Sequence, residues 1–266
     1  MYHLQDIMDM LVENVRQRYG MLGKQPKEVY ALMQKIVAHG VERNLFTEIE
    51  SNPVIWELNS SVYKLIERID ILIKTRLTES SLYLSDAIDL LERMKKTDKP
   101  MYILLCDALS LSEYMFLIYY FHNLIDLKNT LCAINPSGKT STFKYLAEEY
   151  FKLRLVSSSN ETTMNTIAET LRIRLNAKGC SVFREFDRLI HEDVKYSDFN
   201  SLLDALFNVV SNLQKRIDAL VDDNYKILIL ADHGYDIIFS EEGWTLTHKW
   251  REGMCLSTLV PILTIG

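Results

Sequence analysis

The chain has 266 residues, 48% of them hydrophobic and 25% charged, which is enough apolar material for one large domain or two modest ones. A formal net charge of −6 and a pI near 5.6 exclude broad, sequence-blind binding to duplex DNA or an anionic membrane, because no basic field drives the approach. The opening MYHLQDIMDM lacks a signal-peptide pattern, and the longest apolar-looking stretch, MFLIYYFHNLI at 115–125, is too short to span a bilayer and carries His122 and Asn123, so a cytoplasmic protein is expected.

In chain order, residues 1–98 show helical periodicity and no convincing strand. LQDIMDMLVENVRQRYG spaces apolar side chains three and four apart and stops at Gly20, and PKEVYALMQKIVAHG starts with a proline in its first turn and stops at Gly40. SSVYKLIERIDILIKTRL and SDAIDLLERMKKTDK repeat the pattern, the second opening on Ser85 as a cap. This all-α N-terminal module is read as packing scaffold or as the docking point of a protein partner, and its alternating charges as a solvated face.

From Lys99 the texture changes. MYILLCD, LKNTLCAI, CSVFREF, YKILILAD and CLSTLVPILTI are short β-type runs, separated by helical stretches such as SEYMFLIYYFHNL, TFKYLAEEYF and FNSLLDALFNVVSNLQKRIDALVDD. That alternation predicts an α/β fold with a mainly parallel sheet and helices on both faces, whose ligands gather at the carboxyl ends of the strands. Four cysteines, Cys106, Cys132, Cys180 and Cys255, lie far apart without a Cys-x-x-Cys pair and are read as small buried hydrophobes.

The strand ends carry the chemistry. Asp107 closes the first run; Asp187 and His191, four apart on one helical face, follow the third; Asp232 and His233 close the fourth; His248 follows in THKW. An aspartate after a strand is ordinarily a cap and a lone histidine a satisfied core or surface residue, so each alone signals little. Three aspartates and three histidines arriving at successive strand ends form the oxygen and nitrogen inventory of a two-cation site, zinc favoured by the imidazoles and manganese the alternative. The second run ends in AINPSGKTSTFKYLA, a strand, a loop with Ser137, Lys139, Thr140 and Ser141, and a helix start suited to an anion. A P-loop is the rival reading of Gly138-Lys139-Thr140, but the glycine it needs five residues earlier is Ala133 inside the strand, and it gives His191, His233 and His248 no role.

Over residues 99–266 the motifs ILLCDALS, NPSGKTSTFKYL, FDRLIHED, LILADHGYD and THKW resemble the alkaline phosphatase superfamily, and within it the PglZ domain. The resemblance implies that 99–266 form an alkaline-phosphatase-like metal-binding domain after the 1–98 helical module. It implies two divalent cations, one held by Asp107, Asp232, His233 and a nucleophilic hydroxyl, the other by Asp187, His191 and His248. Thr140 is the chosen nucleophile, with Ser137 and Ser141 as alternatives because two residues separate Ser137 from Thr140 where the family often has a shorter loop. An arginine common three residues after the first aspartate is Ser110 here, leaving phosphate clamping to Lys139.

The function expected from the resemblance is a metal-dependent phosphohydrolase or phosphodiesterase acting on a phosphate ester, nucleotide or oligonucleotide, in phage defence or signalling. The alternative is a PglZ-like binding module that has lost turnover. Trp244, Trp250 and Tyr235 are read as core or lid aromatics, with base stacking as the alternative, and FSEEGWT as a turn or short hairpin over the site.

Overall fold

The computed structural model describes residues 4–22, 25–41, 43–75, 98–125, 130–135, 137–144, 160–192, 194–248 and 255–266. Most of the helix expected at 85–99, most of TFKYLAEEYF and Trp250 lie outside them.

Three long helices come first: α1 (Leu4–Gln17), α2 (Pro26–Val41) and α3 (Pro53–Lys74). In α1 the buried residues Leu4, Ile7, Met8, Leu11, Val12 and Val15 repeat at three and four, which places one apolar stripe inward. Asn52 caps α3, its side chain accepting from the N–H groups of Val54 and Ile55, and Pro53 takes the first turn, where no N–H is needed. These helices share one continuous apolar core with the rest of the described chain, and both α1 and α2 pack on α4 (Leu111–Tyr120). The apolar stretch near 115 is this buried helix, and among the described residues no helix is long and apolar enough to cross a membrane.

The expected β runs form β1 (Met101–Cys106), β2 (Leu131–Ile134), β3 (Gly179–Phe183), β4 (Lys226–Ala231) and β7 (Leu259–Ile265), in one five-stranded sheet of order β2-β7-β4-β1-β3. Between them run α5 (Asn160–Arg174), α6 (Glu185–His191) and α7 (Phe199–Asp222). A two-stranded hairpin, β5 (Asp236–Ser240) with β6 (Gly243–Thr247), stands where FSEEGWT suggested a turn or short hairpin.

The sheet is mixed rather than mainly parallel. β1 pairs in parallel with β3 and β4, but β7 is antiparallel to both β4 and β2. The reason is the route of the chain. A parallel return needs a crossover of a dozen or more residues, usually a helix, and the described residues between β4 and β7 hold the hairpin and one short 3₁₀ turn instead. Because β2 and β4 both oppose β7, the strands β1, β2, β3 and β4 share one direction and their carboxyl ends share one edge. The residues just past those four strands are thereby neighbours.

Candidate metal centre

Asp107 follows β1, and its N–H still donates to the Phe183 carbonyl at 2.8 Å, extending the ladder to its last step. The next residue, Ala108, takes a left-handed backbone with φ of 68°, a conformation that costs a residue with a Cβ about 1–2 kcal/mol. Its N–H donates to Asp232 Oδ1 at 3.2 Å, and the His233 N–H joins on the same oxygen at 2.9 Å. The carboxylate at the end of β4 is thus held by backbone donors, which is how an acid with no exposure is tolerated beside a core.

His233 is buried, and its Nδ1 lies 2.8 Å from the Gly234 carbonyl. A carbonyl oxygen only accepts, so Nδ1 carries a proton and, in the neutral ring, the lone pair sits on Nε2. Nε2 faces Asp107 Oδ1 at 3.7 Å and Asp232 Oδ2 at 3.5 Å. That tautomer is the one a metal-ligating histidine needs, with its other nitrogen fixed by a backbone acceptor. Gly234 makes the turn feasible: a Cβ there would lie 2.5 Å from the Leu256 carbonyl. Gly234→Ala is expected to lower stability by about 1–3 kcal/mol in urea melts, since backbone has to move to admit the methyl.

On α6, Asp187 and His191 stand one turn apart with Oδ1 and Nε2 separated by 3.3 Å. The hairpin then delivers His248, whose ring meets those of His191 and His233 at centroid distances of 5.0 and 5.4 Å. Potential donor atoms of Asp187, His191 and His248 all lie within 4.8 Å of one another, and so do those of Asp107, Asp187 and His233. Asp187 therefore belongs to both trios. Asp232 lies beside the second one, its Oδ2 accepting from the Thr140 hydroxyl at 2.8 Å.

These donors fit cations by two observations. Among the described residues, Asp107 Oδ1 and His248 Nδ1 are buried with no hydrogen-bond partner, a costly state for polar atoms that a bound ion would relieve. Burial, reinforced by Asp232 and then Asp187, pushes the Asp107 carboxyl up to about 8 against the opposing pull of Arg184. Burial also raises Asp232, and it lowers His248 to about 4 with help from the neighbouring His233 and His191. Concentrated acid and neutral imidazole in one buried place is the environment that a divalent ion stabilises.

The loop after β2 supplies the hydroxyls. Asn135 anchors it, its side chain donating to the carbonyls of Lys139 at 2.8 Å and Asp232 at 2.9 Å, and Gly138 takes φ of 61° against the backbone of His248 and Ser257. A helix opens at 140. Thr140, Ser141 and Lys139 line a cavity of about 380 Å³ together with Asp107, Arg184, Asp187, His191 and His248. Ser137 stands apart, its hydroxyl bonded to Thr142 and Asn135, and it does not line this cavity.

Sequence reasoning overlooked Arg184. It follows β3, lines the cavity, and donates from Nη2 to Asn165 Oδ1 at 3.0 Å. The Ser110 position has a structural task instead, forming the capping box of α4 with Glu113 and donating to the Tyr235 carbonyl at 2.9 Å. Trp244 packs among Phe46, Phe199 and Phe239, and Tyr235 is buried, so both act as core aromatics. No protein-family model matches this chain, and no curated protein matches it.

Proposed function

We propose that this chain is a metal-dependent phosphoester hydrolase of the alkaline phosphatase type, related to PglZ domains, with Thr140 as nucleophile. The observation that carries the reading is the Thr140 hydroxyl, 2.8 Å from a buried carboxylate, at a cavity lined by the whole trio Asp187, His191 and His248 and by Asp107 of the second trio. Asp107, Asp187, Asp232, His191, His233 and His248 would hold two divalent cations, zinc first and manganese second. Bound there, the pair supplies Lewis acidity toward the phosphoryl oxygens and lowers the pKa of the hydroxyl nucleophile.

The protein's own groups do the rest. Asp232 accepts the Thr140 hydrogen bond and so aims the oxygen while drawing its proton away from the attack direction. Lys139, exposed at the rim, and Arg184, half-buried in the wall, bring positive charge to an otherwise acidic cavity and suit the non-bridging oxygens of a phosphate ester. Arg184 takes the clamping task that the sequence left to Lys139. Four free cysteines suit a reducing cytoplasm.

The test is hydrolysis of bis-p-nitrophenyl phosphate, p-nitrophenyl phosphate and short oligonucleotides with added zinc or manganese. Thr140→Ala is expected to remove turnover by on the order of 10³-fold or more, while Ser137→Ala and Ser141→Ala retain it. Stoichiometric metal without hydrolysis of any of these esters would establish the binding-module alternative and overturn the reading.

A further inference from the structure

A second polar cluster lies inside the molecule, away from the cavity. Glu113, in the first turn of α4, is completely buried. Its Oε1 accepts from the hydroxyl of Tyr30, from Tyr235 at 2.6 Å, from Gln34 Nε2 at 2.9 Å and from Ser112 at 3.2 Å, and its Oε2 accepts from the Ser110 N–H at 3.1 Å. Gln34 also donates to the Tyr30 and Tyr235 hydroxyls. A buried carboxylate held by neutral donors is expensive where an apolar residue could pack, so its geometry asks for a purpose.

The donors come from distant elements. Tyr30 and Gln34 lie on α2, whereas Tyr235 sits two residues past His233. Ser110, three past Asp107, binds the Tyr235 carbonyl, and the Tyr235 ring stacks on Phe186, the neighbour of Asp187, at 6.2 Å. One carboxylate thus ties together the three segments bearing Asp107, Asp187 and His233, and joins them to a helix near the start of the chain.

We infer that Glu113 is a positioning residue for the metal centre, holding its donor-bearing loops in register through Tyr235 and coupling them to α2 through Tyr30 and Gln34. This rests on the proposed metal centre but not on the hydrolysis assigned to it. Metal donors must be placed to within a few tenths of an ångström, and groups that orient them typically control affinity by 10- to 100-fold.

Zinc titration of the metal-stripped full chain tests it, with thermal melts of the same metal-free samples. Glu113→Gln and Tyr235→Phe are expected to raise the zinc Kd by about 10- to 100-fold, and Tyr30→Phe, which deletes one remote hydroxyl, by about 10-fold. Leu65→Ala in α3, buried and outside the network, is expected to lower Tm while leaving Kd as in the wild type. Should Glu113→Gln fail to fold, Tyr30→Phe and Tyr235→Phe decide. Lowered Tm with unchanged Kd in the tyrosine variants makes the network a packing device only and overturns the inference. A wild type that takes up neither zinc nor manganese overturns the metal centre as well, whereas weakened zinc binding in a protein that cleaves no ester upholds the inference and removes the hydrolytic reading.

Discussion

Asp232→Asn is expected to yield a folded protein that has lost turnover by on the order of 10⁴-fold, the scale seen when one member of a catalytic unit is removed. The substitution is nearly isosteric. The asparagine carbonyl can still accept from the Ala108 and His233 N–H groups, as Asp232 Oδ1 does, and its amide can face the Thr140 oxygen. Three changes follow at the site. A negative charge disappears from the donor set, the Thr140 hydroxyl no longer has an anionic acceptor, and an amide N–H takes the place of a carboxylate oxygen 3.5 Å from His233 Nε2. Zinc titration and ester hydrolysis read the loss, and the far-ultraviolet circular dichroism spectrum confirms that the fold persists. Wild-type rates in this variant would remove Asp232 and Thr140 from the mechanism together.

The strands β1, β2, β3 and β4 were legible because each is a short run of mostly apolar residues ending abruptly in a polar residue, and burial explains both halves of that pattern in β4. β4 is buried from Ile227 onward, and Asp232 and His233 end it only because backbone donors and a carbonyl satisfy them. The approach of Asp107, Asp187, His191, Asp232, His233, Thr140, Ser141 and Lys139 followed from their order at strand ends, since shared direction brings those ends to one edge, whereas His248 arrives by way of the β5–β6 hairpin. The direction of β7 was not legible, because it depends on the route by which the chain returns to the sheet and not on any residue within the strand. Arg184 was hidden for a similar reason: nothing local distinguishes an arginine that lines a cavity from one that faces water. Ser137, Thr140 and Ser141 look alike in the sequence, and only the structure shows Ser137 bonded to Thr142 and Asn135 while Thr140 and Ser141 line the cavity. The Ser110–Glu113 capping box is a readable signal, but the partners of that glutamate lie 83 and 122 residues away at Tyr30 and Tyr235.

Asp107→Asn is expected to make the metal-free protein more stable than the wild type, by a margin that widens with pH. The Asp107 carboxyl titrates at about 8 in the folded state and near 3.8 when unfolded, mainly because it is buried and secondly because Asp232 and Asp187 are near. Between those values the native chain holds a proton that the unfolded chain has released, so raising the pH favours unfolding, at up to about 1.4 kcal/mol per pH unit from this group. The depressed His248 acts in the opposite sense between about 4 and 6.5, because there the unfolded histidine gains a proton that the folded one refuses. It is present in both proteins, so it cancels from their difference. Urea melts of metal-stripped samples at about pH 5 and about pH 8 should therefore show a growing gap in favour of the variant. Zinc should narrow the gap at the higher pH, since binding to the native state alone adds about 2.7 kcal/mol at 100 times Kd and the variant lacks one anionic donor. A gap that stays constant with pH would mean that Asp107 ionises freely, and a wild type that zinc leaves no more stable than before would mean that these acids and imidazoles do not converge on an ion.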